Sequence, residues 1–121
     1  AGLSLLTDMP LHTLHLTNCD MITDDGLVAL VGLPLETFQL VSESNMITGS
    51  GFSCFSSLSL RTLDLGSSVY TTDDGLKHLA ASLHLHTLSL SMCEYITDTG
   101  LSYLAALPLR TLDLCGCINI T

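Results

Sequence analysis

The stretch LHTLSLSMCEYITDTGLSYLAALPLRTLDLCGCINIT, residues 85–121, contains its own opening twice: LHTLSL at 85–90 returns as LRTLDL at 109–114. Outward from it, LRTLDL stands again at 60–65, and looser copies stand at 35–40 (LETFQL) and 11–16 (LHTLHL). The hexads begin at Leu11, Leu35, Leu60, Leu85 and Leu109, at intervals of 24, 25, 25 and 24 residues. A period in the twenties marks a solenoid of stacked supersecondary units, each touching only its neighbours.

Every hexad but the last leads into a second block: ITDDGL at 22–27, ITGSGF at 47–52, TTDDGL at 71–76 and ITDTGL at 96–101. Apolar residues then recur at helical spacing, as in Leu27, Leu30, Leu33 and Leu101, Leu104, Leu107. Residues 1–9, AGLSLLTDM, are this helical block without a preceding strand. In the hexad the later leucines alternate at period two, so they point to one side of a strand. Neither strand nor helix can bury its apolar side alone, so helix packs on strand and unit on unit. A helical return makes the strands parallel and the connection right-handed. Thr23, Thr72 and Thr97 are expected to cap the helices, with Asp24, Asp73 and Asp98 in the first turn. Pro10, Pro34 and Pro108 are expected to close them. Ser82 reads as an insertion, and 42–46 (SESNM) carries an extra residue in the second unit.

The stretch 85–121 and its copies resemble the leucine-rich repeat family, in its cysteine-containing subclass. The resemblance covers essentially the whole chain. It implies an α/β fold: a right-handed leucine-rich repeat solenoid with about five parallel strands on the concave face and helices on the convex face. The chain then reads as one domain, 1–121, and as a segment of a longer array. The subclass is similar to the substrate-recognition repeats of F-box proteins in ubiquitin ligases, and to stand-alone repeat proteins of bacteria and protists. The function implied is a non-catalytic protein–protein interaction module. The two alternatives are a substrate-recognition fragment of an F-box receptor and a stand-alone effector or surface protein.

Function is read from columns, since equivalent positions stack about 4.8 Å apart. The third hexad position is always threonine: Thr13, Thr37, Thr62, Thr87 and Thr111. Alternation puts these opposite the leucines, where they either stabilise the sheet or contact a partner. The fifth position varies: His15, Gln39, Asp64, Ser89, Asp113. So does the second: His12, Glu36, Arg61, His86, Arg110. Fixed leucines with varied polar neighbours suit a binding face, and these fifteen residues are the expected partner-binding set. Glu36 beside Arg61 also reads as an exposed ion pair. At the exit from the hexads stand Thr17, Val41, Gly66, Ser91 and Cys115.

A further column is Cys19, Glu43, Ser68, Cys93, Cys117. A buried thiol there would plug the turn off the strand. Glu43 and Ser68 interrupt it, which predicts looser turns in the second and third units. Five cysteines, counting Cys54 in a helix, read as free thiols in a reducing compartment, which favours the cytoplasm. No C-x2-C pair exists, His84 and His86 lack a third ligand, and the D-x-[DN]-x-[DN]-G loop is absent, so neither metal nor other cofactor is expected.

The formal charge of −9, with only three basic residues, gives no footprint for a phosphate backbone, so nucleic acid is not an expected partner. No apolar run reaches the roughly 20 residues of a membrane helix, and no signal-peptide pattern opens the chain. The sequon at Asn119 matters only in a secreted protein. No Ser/His/Asp or Cys/His set has catalytic spacing, and the reading is non-enzymatic. Asp20, Asp24, Asp25, Glu43, Asp73, Asp74, Glu94 and Asp98 all fall between a hexad and the next helix, which predicts one acidic edge open to a cation or a basic partner. Unpaired strands at both ends of the array predict end-to-end self-association.

Overall fold

The computed structural model describes residues 2–82 and 84–121. Ala1, the first residue of the leading helical block, lies outside them. Five parallel strands form one sheet in sequence order: β1 (Thr13–Thr17), β2 (Thr37–Val41), β3 (Thr62–Asp64), β4 (Thr87–Ser89) and β5 (Thr111–Asp113). The register follows the hexads: Thr13 pairs with Thr37, Thr37 with Thr62, Thr62 with Thr87, and Thr87 with Thr111. Five parallel strands with helical returns make this an α/β solenoid.

Alternation sorts the side chains as β geometry requires. Phe38, Leu40, Leu63, Leu65, Leu88 and Leu90 are buried, while the threonines between them face outward. The first leucine of the middle hexads (Leu35, Leu60, Leu85) is also buried, before its strand begins. Phenylalanine replaces leucine in the second unit, and the larger rings pack together. Phe38 meets Phe55 edge to face at 5.8 Å, and Phe52 stacks on Phe55 at 5.4 Å.

The helical returns differ from expectation. Among the described residues only α1 (Asp73–Leu79) and α2 (Asp98–Leu104) are α-helical; Leu3–Leu6, Asp25–Leu30 and Phe52–Ser57 are 3-10 segments. In Phe52–Ser57 the cause is legible. Three of its six residues are serine, and Ser56 Oγ donates to the Ser53 carbonyl, competing with the backbone ladder. The prolines lie beyond the helical segments, which close at Thr7, Val31 and Ala105. Thr72 and Thr97 do cap α1 and α2, accepting from Gly75 N and Thr99 N. Thr23 Oγ1 likewise accepts from Gly26 N at 3.2 Å, although the segment there begins after Asp24.

Asp73 and Asp98 stand in the first turns of α1 and α2 as expected, Asp24 stands just before its segment, and all three also tie their unit to the next. Asp24 accepts from Thr48 N and Thr48 Oγ1, both at 2.9 Å, and from Gly49 N and Gly51 N. Asp73 accepts from Thr97 N at 2.9 Å and Thr97 Oγ1 at 2.6 Å. Asp98 receives the same pair of bonds from Thr121. Burial would raise the Asp24 carboxyl, but the bonds from Thr48, Gly51 and Gly49 outweigh it and hold the group below its ordinary value.

The second unit has Gly49 where the others have aspartate. There the Thr48 carbonyl accepts from Thr72 N at 3.1 Å and Thr72 Oγ1 at 3.3 Å. Without a side chain, two backbones meet: a Cβ on Gly75 would lie 2.8 Å from Gly49 Cα. Gly49 itself has φ +104°, a conformation that suits glycine.

Candidate binding surface

Parallel register brings the third- and fifth-position residues of the expected binding set onto one face of one sheet. Beside the threonine row, His15 pairs with Gln39, Gln39 with Asp64, Asp64 with Ser89, and Ser89 with Asp113. The second-position residues stand one step upstream, where their carbonyls begin the ladder. The His12 carbonyl accepts from Glu36 N and Thr37 N, and the same fork recurs at Glu36, Arg61 and His86. Thr13, His15, Thr111, Asp113, His12, Glu36, Arg61 and Arg110 are exposed; Thr37, Gln39, Thr62, Asp64, His86, Thr87 and Ser89 are half-buried.

These residues are not equally free. Asp64 Oδ1 accepts from Gly66 N at 2.9 Å, and Asp113 Oδ1 accepts from Cys115 N at 2.9 Å. Ser89 Oγ accepts from Ser91 N at 3.5 Å. Each closes a turn two residues on, as short polar side chains do. The fifth column is therefore partly a strand terminator, and the freer side chains are His12, His15, Glu36, Gln39, Arg61, His86 and Arg110. Glu36 and Arg61 form no ion pair among the described residues.

The cysteine column is a series of plugs, with one correction. Cys93 Sγ donates to the Leu65 carbonyl at 3.5 Å, and Cys117 Sγ to Leu90 at 3.0 Å. Ser68 is fully buried and its Oγ donates to the equivalent Leu40 carbonyl at 3.5 Å. Serine does not loosen that turn, because its hydroxyl reaches the same acceptor. Glu43 is exposed, and Ser42 and Ser44 are buried in its stead. The extra residue in the second unit allows this. Cys19 bonds only within its own unit, to the Thr17 carbonyl.

The residue before the plug is left-handed in four units: Asn18, Ser67, Met92 and Gly116, with φ from 57° to 78°. All five cysteines are free. Burial pushes the Cys54 thiol up to about 11 and the Cys93 thiol up to about 12, with the neighbouring Cys117 and Asp64 adding to the latter. Cys117 is also raised, by burial first. Cys115 is exposed while Cys117 is buried, so the two turn apart. Among the described residues no group of three or more His, Cys, Asp and Glu converges as metal ligands, and no helix is long and apolar enough to cross a membrane.

One column escaped the sequence reading. Met21, Met46, Tyr70 and Tyr95 occupy the same place in successive loops, on the edge where strands lead into helices. All four are exposed, by 81%, 41%, 42% and 57%. The signal is a methionine or tyrosine at a fixed place, directly before Ile22, Ile47, Thr71 and Ile96.

A family profile described as Leucine Rich repeat matches residues 7–31 and 81–105. Among curated proteins, no sequence matches the chain significantly.

Proposed function

With two of its units matched as leucine-rich repeats, and the described residues folded as a leucine-rich repeat solenoid, we propose that this protein binds a protein partner on the outward face of its sheet. Repeats of this family generally mediate protein–protein interaction. The observation that carries the reading is the register. It fixes an ordered array of polar side chains, both basic and acidic, on a sheet whose apolar side is buried in the core through β2, β3 and β4. Such an array offers hydrogen-bonding and charged groups at spacings that the strand ladder sets, so the backbone has little entropy left to lose on binding.

The cysteine plugs at Cys93 and Cys117, with their bonds to the preceding unit, support the cysteine-containing subclass. Within that subclass the same face would serve a ubiquitin-ligase substrate receptor or a stand-alone repeat protein. The identity of the partner captured distinguishes them.

Affinity capture with this chain, followed by titration of the captured partner, tests the face. His15→Trp and Gln39→Trp should abolish or strongly weaken binding, because neither side chain supports the turn at its strand end. Lys77→Glu and His78→Glu, on exposed positions of α1, should leave it intact. The reverse pattern would move the site to the helical side and overturn the proposal.

A further inference from the structure

The loop edge carries a second surface, distinct from the sheet face. Along it run Met21, Met46, Tyr70 and Tyr95, one per unit, and the rings of Tyr70 and Tyr95 stack at 5.8 Å with 21° between their planes. Stacking covers one side of each ring and leaves about half of each residue in water. Between the first three units the row opens into a shallow, solvent-open cleft of about 330 Å³, lined by Asp20, Glu43, Ser44, Asn45, Met46 and Tyr70. Two carboxylates, an aromatic ring and a thioether thus share one concavity.

Charge decides what fits there. Asp20 and Glu43 line the cleft, Glu94 stands in a later loop, and Asp25 and Asp74 lie in the first turns of the helical segments that follow these loops. The chain's three basic residues lie elsewhere: Arg61 and Arg110 precede β3 and β5, and Lys77 is in α1. Asp20 accepts one bond, from Ser42 Oγ at 2.7 Å, and neither carboxylate has an ion-pair partner among the described residues. An acidic nucleic acid or anionic membrane would be repelled. An uncharged apolar segment would suit the methionines and tyrosines and waste the carboxylates.

We infer that this edge is a docking surface for an extended basic segment of another protein, whose arginine or lysine side chain enters the cleft beside Tyr70 while its apolar neighbours lie along Met46, Tyr70 and Tyr95. The cation would sit against the tyrosine face and near two carboxylates, where ring quadrupole and charge act together. A methionine row beside it can adjust to different apolar side chains. A repeat protein would then grip a partner on two surfaces, or hold two partners at once.

The probe is a peptide alternating arginine with leucine and phenylalanine, titrated into the whole chain while backbone amide signals are followed by NMR. Its control replaces each arginine by citrulline, equal in shape and uncharged. Saturable shifts should centre on residues 43–46, Tyr70 and Tyr95, and the citrulline peptide should bind at least about fivefold more weakly. Glu43→Gln and Tyr70→Leu should each weaken the arginine peptide about threefold to fivefold. Both positions are exposed, so the fold should persist, and an unchanged amide spectrum elsewhere verifies that. His78→Gln, on an exposed position of α1, should leave the affinity for this peptide unchanged. The inference is overturned if no saturable shift appears up to about 5 mM peptide. It is equally overturned if the shifts fall on the sheet face, if citrulline binds as well as arginine, or if the edge variants bind as tightly as the parent chain.

Discussion

At the scale of single residues, the columns expose which side chain is out of step. Ile22, Ile47, Ile96 and Ile120 share a place in four units, and the third unit puts Thr71 there. Thr71 is fully buried and its Oγ1 has no hydrogen-bond partner among the described residues. A hydroxyl removed from water without a partner costs about 1–3 kcal/mol. Valine has the same shape without that group. Thr71→Val should therefore stabilise the protein by about 1 kcal/mol in urea unfolding, with an unchanged denaturant slope. A loss of stability instead would mean that the hydroxyl is satisfied in solution. Ser67 and Met92 are a second kind of exception. Neither is glycine, yet both hold a left-handed φ that Asn18 and Gly116 adopt more readily in the matching position. The leucine period locates these turns, but it does not reveal their handedness, because the sequence offers asparagine, serine, methionine and glycine at one site.

At the scale of elements, the decisive contacts run between units rather than within them. A Thr-Asp pair before a helix reads locally as a cap and a first-turn carboxylate. Its larger use appears only once the next coil is placed, because Asp24 meets Thr48, Gly49 and Gly51 some 24 to 27 residues on. The same blindness hid the equivalence of Ser68 with the cysteines and the close meeting of Gly49 and Gly75. Asp24 allows a test with a defined sign. It is buried to 9% exposure and its folded value lies below the ordinary 3.8. The stabilisation tied to its charge is therefore fully present above the unfolded value, near pH 4, and is lost as pH falls through the lower folded value. Asp24→Asn cannot accept at both oxygens, and should cost about 1–3 kcal/mol at pH 7. The gap between parent and variant should narrow at pH 3. Urea unfolding at the two pH values checks it, and a gap that stayed constant would show that the charge itself contributes nothing.

For the whole molecule, the solenoid has no centre, only neighbours, so stability should vary along it. Leucine spacing alone made the parallel sheet, its order and its core legible; it said little about how firmly each unit is held. The middle units bury Leu35 to Leu90 almost completely, whereas every residue of β5 is exposed and Leu3–Leu6 contains no buried residue. In a one-dimensional stack the end units open by fraying, without unfolding the rest. Amide exchange should therefore be slowest in β2, β3 and β4 and fastest in Leu3–Leu6 and around β5. Asp98 moderates the far end through its two bonds to Thr121. Among the described residues β1 and β5 each pair on one side only, and end-to-end stacking of copies would pair the other side. The two effects separate by concentration. Fraying within one chain gives the same exchange profile in dilute and concentrated protein. Self-association instead slows exchange at β1 and β5 alone as concentration rises, with the sedimentation coefficient rising in step. A profile flat along the chain at every concentration would contradict the neighbour-by-neighbour account, and would require coupling that spans the whole array.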